Sequence, residues 1–389
     1  MSQLVLLAVA VTATVVGQRR LPLWLAPTVV AGIGLLTGVA RLDDLRGAFD
    51  RLWAPLAFLL IAVPLAVELD RTGFFTSLAS YVGAGSPQRL RLGLWILGAA
   101  VVTVFNLDAA VVLLTPLYVR IARRTGDDPL ALGLIPALLA SIASSTLPVS
   151  NLTNLIAADR LHLGVTDFLV HLGAPSLAAI AVGFVAFRRA LPRPPATLLE
   201  SGEPASDGLV IGGLVTVWLL AGFTFGDLVG VPAWVVALLA LVGLVVRNRN
   251  SPLRHVPLDA ALIALSLGVV AAAAGPHLPV DRLLSLPGAA GHAAVIAGAT
   301  VAANAMNNLP ALLVAAPALQ RHPAQVWAVL LGVNIGPSLW IFGALSTLLW
   351  RSTMVRMGVE VTTRDYVRAG SAVGLPALLA SGTVLILAR

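Results

Sequence analysis

The chain has 389 residues, 58% of them hydrophobic and only 11% charged, with a formal net charge of +7. A soluble domain carries about 25% charged residues, so this composition excludes one and indicates a polytopic, all-α membrane protein. All 25 basic residues are arginines; they sit between apolar runs, as membrane orientation requires, and imply no nucleic-acid partner.

The first apolar stretch, residues 3–17, has no basic residue before it and is followed by Arg19 and Arg20. It reads as a membrane helix rather than a cleaved signal peptide. Further apolar segments are predicted at 22–40, 52–69, 90–122, 129–158 and 168–187. The stretch 188–208, RRALPRPPATLLESGEPASDG, holds four prolines and reads as a cytoplasmic linker. Six more segments follow at 209–225, 231–246, 258–275, 291–320, 324–350 and 366–388. The expected organisation is therefore a first repeat over 1–187, the linker, and a second repeat over 209–389.

The two halves match internally. SIASSTLPVSNLTN (141–154) lies over NIGPSLWIFGALST (334–347) at a constant offset of 193, pairing Ile142, Ser145 and Leu152 with Ile335, Ser338 and Leu345. In the fourth segments, Asn106 and Pro116 are ten apart, as are Asn307 and Pro317. These fourth segments are too long for one crossing and carry polar residues at mid-length. The fifth segments, also long, are interrupted by Ser, Thr, Gly and Pro. The reading is two hairpins (about 90–122 and 291–320) and two broken helices (about 129–158 and 324–350).

Arginine placement decides how the fourth segments lie. If each enters partway and returns to the same side, and the N-terminus is outside, 18 of the 25 arginines face the cytoplasm. Full crossings break that asymmetry. Each half then crosses five times, an odd number, so the second half is inverted relative to the first. About ten transmembrane helices, two re-entrant hairpins and two broken helices make an inverted-repeat secondary transporter, with both termini outside. Non-helical backbone at that depth survives only when buried in protein or lining a wet cavity.

Asp108 is the one acidic residue well inside a predicted membrane segment. A carboxylate there costs roughly 2.5–3.5 kcal/mol on insertion scales, so it marks a cavity and can carry a proton as access alternates. Its other reading is the N-cap of a return helix. Asn106, Asn307 and Asn308 offer amide donors and acceptors at the hairpin tips, suited to a neutral hydroxylated solute or a small cation; helix capping is the alternative. Asn304 belongs with them less clearly. In the broken helices, Ser144, Ser145, Thr146, Ser150, Asn151, Thr153 and Asn154, and less strongly Asn334, Ser338, Ser346 and Thr347, are expected to line the path, the alternative being bonds to preceding carbonyls or neighbouring helices. Ser145, Thr146, Ser150, Asn151, Asn154, Asn334 and Ser338 are the candidate solute or ion contacts among them. The six histidines lie mostly at loop edges without metal-ligand spacing, and the absence of cysteine excludes thiolate ligands and disulfides. No cofactor or metal is expected.

At these residues the chain resembles the arsenite–antimonite efflux permeases (ArsB type) of the ion transporter superfamily. The motifs are NLDAAVVLLTP, STLPVSNLTNLIAAD, NNLPALLVAAP and NIGPSLWIFGALSTLLW, with RMGVEVTTRDYVRAG near the end. The resemblance implies a scaffold domain, a transport domain holding the hairpins, and extrusion of trivalent arsenic or antimony hydroxides driven by the proton gradient. It implies solute and proton contacts at Asn106 and Asp108, with Asn307 and Asn308 at the second tip. The chain departs from the family at LWIFG, where Trp340 and Phe342 replace a smaller, more polar stretch.

The expectation is a multi-pass transporter of a bacterial cytoplasmic membrane extruding arsenite in exchange for protons. The alternative is the same fold moving sodium against protons, or a small anion with sodium. An intramembrane enzyme is disfavoured, because paired aspartates, His-Glu-x-x-His and a sizeable catalytic loop are all missing. Expected partners are a small solute and membrane lipid. A homodimer is left open, and a soluble ATPase partner is implied by the resemblance alone.

Overall fold

The structure, a computed structural model, describes residues 1–17, 22, 24–82, 86–192 and 206–388. Most of the expected linker, together with Arg19, Arg20 and Arg193, lies outside the described residues. Within them every regular element is helical. The first half holds α1 (Ser2–Gly17), α2 (Leu25–Leu36), α3 (Leu42–Asp70), α4 (Phe74–Val82), α5 (Pro87–Phe105), α6 (Leu107–Thr125), α7 (Pro129–Ile142), α8 (Leu152–Leu161) and α9 (Val165–Ala190). The second repeats that order. It holds α10 (Ser206–Leu228), α11 (Ala233–Asn248), α12 (Leu258–Ala274), α13 (Val280–Leu284), α14 (Gly288–Met306), α15 (Asn308–Arg321), α16 (Val326–Ile335), α17 (Leu345–Arg356) and α18 (Thr363–Leu387). Short helices α4 and α13, each preceding a hairpin, lie outside the expected segments.

Among the described residues, seven helices are long and apolar enough to cross a bilayer: α3, α5, α9, α10, α12, α14 and α18. Length and composition thus select fewer spans than the ten expected. The broken helices fall short because their longest piece, α7, has 14 residues, about 21 Å at 1.5 Å per residue. The first arms of both hairpins pass the same test.

Segments four and ten fold back on themselves. The Tyr118 hydroxyl donates to the Leu94 carbonyl at 2.6 Å, joining residues 24 apart in sequence. A straight helix would separate them by about 36 Å. Both lie twelve residues from Asn106, which has φ 79° and separates α5 from α6. In the second half, Asp281 before α14 and Arg321 at the end of α15 are joined by guanidinium–carboxylate bonds of 3.0 and 2.5 Å, and Asn307 (φ 77°) marks the turn. Asn is the non-glycine residue that best tolerates positive φ, because its short amide bonds to nearby backbone.

The two halves run in opposite senses. Helix α3 lies parallel to α11, with Trp53 edge-on to Trp234 at 6.2 Å and Asn248 donating to the Glu68 carboxylate at 2.9 Å. It lies antiparallel to α12, its counterpart in the second half: Leu59 shares a cavity with Ala260, and Asp44 shares another with Gly275. The reciprocal pair α2 and α12 is pinned by Thr28 and Ser266 hydroxyls 3.0 Å apart. The hairpins therefore open at opposite ends of α3. Arg120 of the first lies within electrostatic reach of Asp70, whereas Pro317 of the second lies beside Asp43 and Asp44.

Each hairpin is clamped near its open end by an Arg–Asp pair. In the first, Arg91 Nε bonds Asp127 at 2.8 Å and Arg91 also donates to the Pro192 carbonyl at 2.6 Å; both side chains are buried. In the second, Arg321 and Asp281 are more than half exposed.

Candidate functional site

Sequence dictates the tips twice over. Asn106 Oδ1 accepts from the Asp108 amide at 3.0 Å, capping α6, and its Nδ2 donates to the Val149 carbonyl at 3.3 Å. Asn307 Oδ1 accepts from the Leu309 amide at 3.4 Å, capping α15, and its Nδ2 donates to the Phe342 carbonyl at 3.3 Å. Val149 and Phe342 are 193 residues apart, the offset at which the broken helices align. Each tip thus holds its own half's helix break by the same two bonds, satisfying an orphan donor at the helix start and a carbonyl at the break.

The breaks follow from local chemistry. Pro148 forces Leu147 into extended backbone (φ −128°, ψ 156°), and a 3-10 turn over Pro148–Ser150 follows. Ser150 accepts from the Leu147 amide and donates to the Thr103 carbonyl at 2.8 Å, fixing the turn to α5. In the second half, Pro337 sits in a 3-10 turn over Gly336–Leu339, and Ser338 donates to the Ile335 carbonyl at 2.7 Å.

A small cavity of about 40 Å³ lies where both tips and both breaks meet α3 and α12. Its polar lining comes from Asp108, Asn151, Thr153, Asn307, Asn308 and Ser346; Leu59, Ile263, Ala264 and Leu267 supply apolar walls. Asp108 is the only charged residue in the lining. Its Oδ1 is shielded from solvent and makes no hydrogen bond, and the Ser346 hydroxyl is in the same condition. Capping of α6 falls to Asn106, not to Asp108.

Beneath the cavity floor, Asn334 ties the two broken helices together. Its Oδ1 accepts from Asn151 Nδ2 (3.0 Å) and the Thr153 hydroxyl (2.6 Å). Its Nδ2 donates to Asn154 Oδ1 (2.7 Å) and to the Ser145 hydroxyl (3.3 Å). Asn154 Nδ2 donates in turn to the Ser144 and Leu147 carbonyls, both at 2.8 Å, closing the carbonyls that the break leaves open.

Of the eleven sequence-predicted residues, Asp108, Asn151, Asn307 and Asn308 line the cavity. Asn106, Ser145, Ser150, Asn154 and Asn334 are fully buried in the framework holding those four. Thr146 is half-buried and bonds back to the Ala143 carbonyl at 3.4 Å, and Ser338 packs under α18. Thr153 and Ser346, expected along the path but not among those eleven, also line the cavity, each one residue into a helix start. Asn304 spends its Nδ2 on the Thr300 and Gly336 carbonyls at 2.8 and 2.9 Å. It faces a neighbouring apolar cavity with Trp340 and Phe342. Among the described residues, no group of three or more His, Cys, Asp or Glu side chains is placed to hold a metal ion.

Comparison with known proteins fits this architecture. The arsenical pump membrane protein of Yersinia enterocolitica is 27% identical over 411 residues, covering 95% of this chain and 94% of that one. That of Escherichia coli K12 is 28% identical over 395 residues, covering 92% of each. The crystal structure of the Alcanivorax borkumensis YdaH transporter, described as having an unusual topology, superposes with a TM-score of 0.54 at 17% identity, covering 88% of this chain and 87% of that one. The family model described as Citrate transporter matches residues 2–344. With that match running through both hairpins and into the second break, the chain belongs to the citrate transporter (CitMHS) family of membrane transporters.

Proposed function

We propose that the chain is a secondary active transporter that extrudes arsenite or antimonite, as the neutral hydroxide, in exchange for protons across a cytoplasmic membrane. The observation that carries this reading is the Asp108 carboxylate, with an unbonded, shielded Oδ1, in a cavity shared by two oppositely opening hairpins. The hairpins are read as re-entrant, their tips meeting near mid-bilayer. A trihydroxide presents three donors and three acceptors, to be met by Asp108, Asn151, Asn307, Asn308, Thr153 and Ser346. Protonation of Asp108 from one side and release to the other couples the proton gradient to the change of access. The relatives named as arsenical pumps support the solute.

The family description names citrate, a trivalent anion near neutral pH. A carboxylate at about 4 Å from one carboxylate costs about 4 kcal/mol at an effective dielectric near 20. The cavity lining contains no arginine or histidine to reverse that sign, so a neutral solute fits it better.

The test is uptake of arsenite into everted vesicles under an imposed pH gradient, wild type against Asp108→Asn. Gradient-driven accumulation is expected in the wild type and lost in the variant. Accumulation that is equal in both removes Asp108 from the coupling. Arsenite tolerance left unchanged by the wild-type chain in a permease-deleted host, together with sodium-driven citrate uptake, replaces this reading with the anion one.

A further inference from the structure

A second polar cavity lies on four of the six helices that line the first, nearer the end at which the second hairpin opens. It has a volume of about 230 Å³ between α3, α8, α12 and α15, and its charged lining is Asp43, Asp44, Arg51 and Arg160. Gly268 lines it next to Leu267 of the central cavity, and a Cβ added at Gly268 would lie 2.8 Å from Leu52 Cδ1 and 3.6 Å from Leu313 Cδ1, so α12 packs closely on apolar side chains of α3 and α15 there.

The two arginines are arranged as if for a missing partner. Arg160 Nε is shielded from solvent and has no hydrogen bond. Among the described residues, neither Arg51 nor Arg160 forms a carboxylate ion pair, and they lie within electrostatic reach of each other, so they repel. Nearby carboxylates act on them only at longer range: Asp44 and Asp50 on Arg51, Asp159 on Arg160. Asp44 Oδ2 is already taken by the Arg41 amide at 2.7 Å, at the start of α3. Asp43 lies 4.0 Å from Arg46 at the exposed surface. The Arg51 fork folds back over Gly47, where a Cβ would stand 3.1 Å from a terminal guanidinium nitrogen. Any side chain at 47 would displace it.

We propose that this cavity is an anion site, gripping a phosphate-class oxyanion between Arg51 and Arg160. Guanidinium forks match phosphate oxygens bidentately, and an unpaired pair of them in a partly desolvated cavity gains most from such a ligand. The site goes beyond the transport reading and does not depend on it. Its ligand chemistry is shared by free phosphate and by a phospholipid headgroup.

The experiment uses the full chain in phosphatidylcholine nanodiscs and follows the melting midpoint while sodium phosphate replaces sodium chloride at constant ionic strength. A second set of discs contains phosphatidylglycerol and no phosphate. A saturable rise with phosphate, or a rise in the phosphatidylglycerol discs alone, is expected, and which of the two occurs identifies the source. Arg51→Gln and Arg160→Gln should each weaken the apparent affinity at least about tenfold, the effect of losing hydrogen bonds to a charged group. Arg46→Gln, at the surface pair, should not. Without phosphate in phosphatidylcholine discs, each Gln variant should melt no lower than wild type, because it removes a repulsion. The proposal is overturned if neither disc raises the wild-type midpoint or if both variants respond like wild type. Anion-free variants melting well below wild type would also overturn it, making the arginines structural ties.

Discussion

Replacing Asn334 by alanine removes the side chain through which the two broken helices hold each other. It is 1% exposed and makes four side-chain hydrogen bonds, all to the other half of the molecule. Side-chain hydrogen bonds inside membrane proteins average about 0.6 kcal/mol by double-mutant cycles, so four give about 2.5 kcal/mol. The four partners left buried raise this, since an unsatisfied group costs about 1–3 kcal/mol and some will re-pair. The expected loss is about 3–5 kcal/mol, read as a lowered melting midpoint of the detergent-solubilised protein. A cycle with Thr153→Val isolates the 2.6 Å bond and should return a coupling near 1 kcal/mol. Asn334→Asp keeps both acceptor bonds and, when protonated, can replace one of the two donor bonds with its O–H, so the neutral variant should fall between wild type and alanine. A loss under about 1 kcal/mol for Asn334→Ala, with zero coupling to Thr153, refutes the view that this residue joins the halves.

Three further outcomes can be checked. Arg91→Leu or Asp127→Asn alone leaves a buried charge unpaired and should cost about 3–5 kcal/mol, while Arg91→Leu with Asp127→Leu should recover most of it; equal losses in all three would contradict a desolvated pair. Gly370→Ala places a Cβ 2.0 Å from the Ser338 carbonyl oxygen, backbone that cannot step aside, so it should cost at least about 3 kcal/mol or abolish folded yield, and wild-type melting would refute the close approach of α18. The Asp281 carboxyl is held below its usual value mainly by its hydrogen bond from Arg321. Stability from this bond is therefore full above the ordinary Asp value of about 3.9 and disappears as pH falls through the lowered one. Protection factors of amides in residues 280–286, taken relative to the intrinsic exchange rate at each pH, should fall on acidification through that window in wild type and stay constant there in Asp281→Asn.

The polar interruptions were legible because lipid leaves them no other use. Asn106 and Asn307, each ten residues before a proline in an apolar run, located both hairpin turns. The offset of 193 found by aligning SIASSTLPVSNLTN with NIGPSLWIFGALST recurs in the carbonyls those two asparagines bond, Val149 and Phe342. Pairings across the repeat were not legible: nothing local to Asn334 says that its partners are 180 and more residues earlier. Nothing local to Arg91 marks it as buried, yet it is 3% exposed, because Asp127 arrives beside it only once the hairpin has closed. Thr153 and Ser346 were legible as path-lining hydroxyls but not as contacts, because hydroxyls at helix starts also have a routine capping task and only the meeting of the two breaks turns them toward a common space.

The inequality of the two hairpin clamps has a consequence for how each responds to dissolved salt. Arg91 and Asp127 are shielded by protein, so electrolyte leaves their attraction nearly intact. Arg321 and Asp281 are exposed, and exposed pairs contribute about 0–1 kcal/mol and weaken as electrolyte rises. Ionic composition alone can therefore loosen the second latch, while the first stays deaf to it.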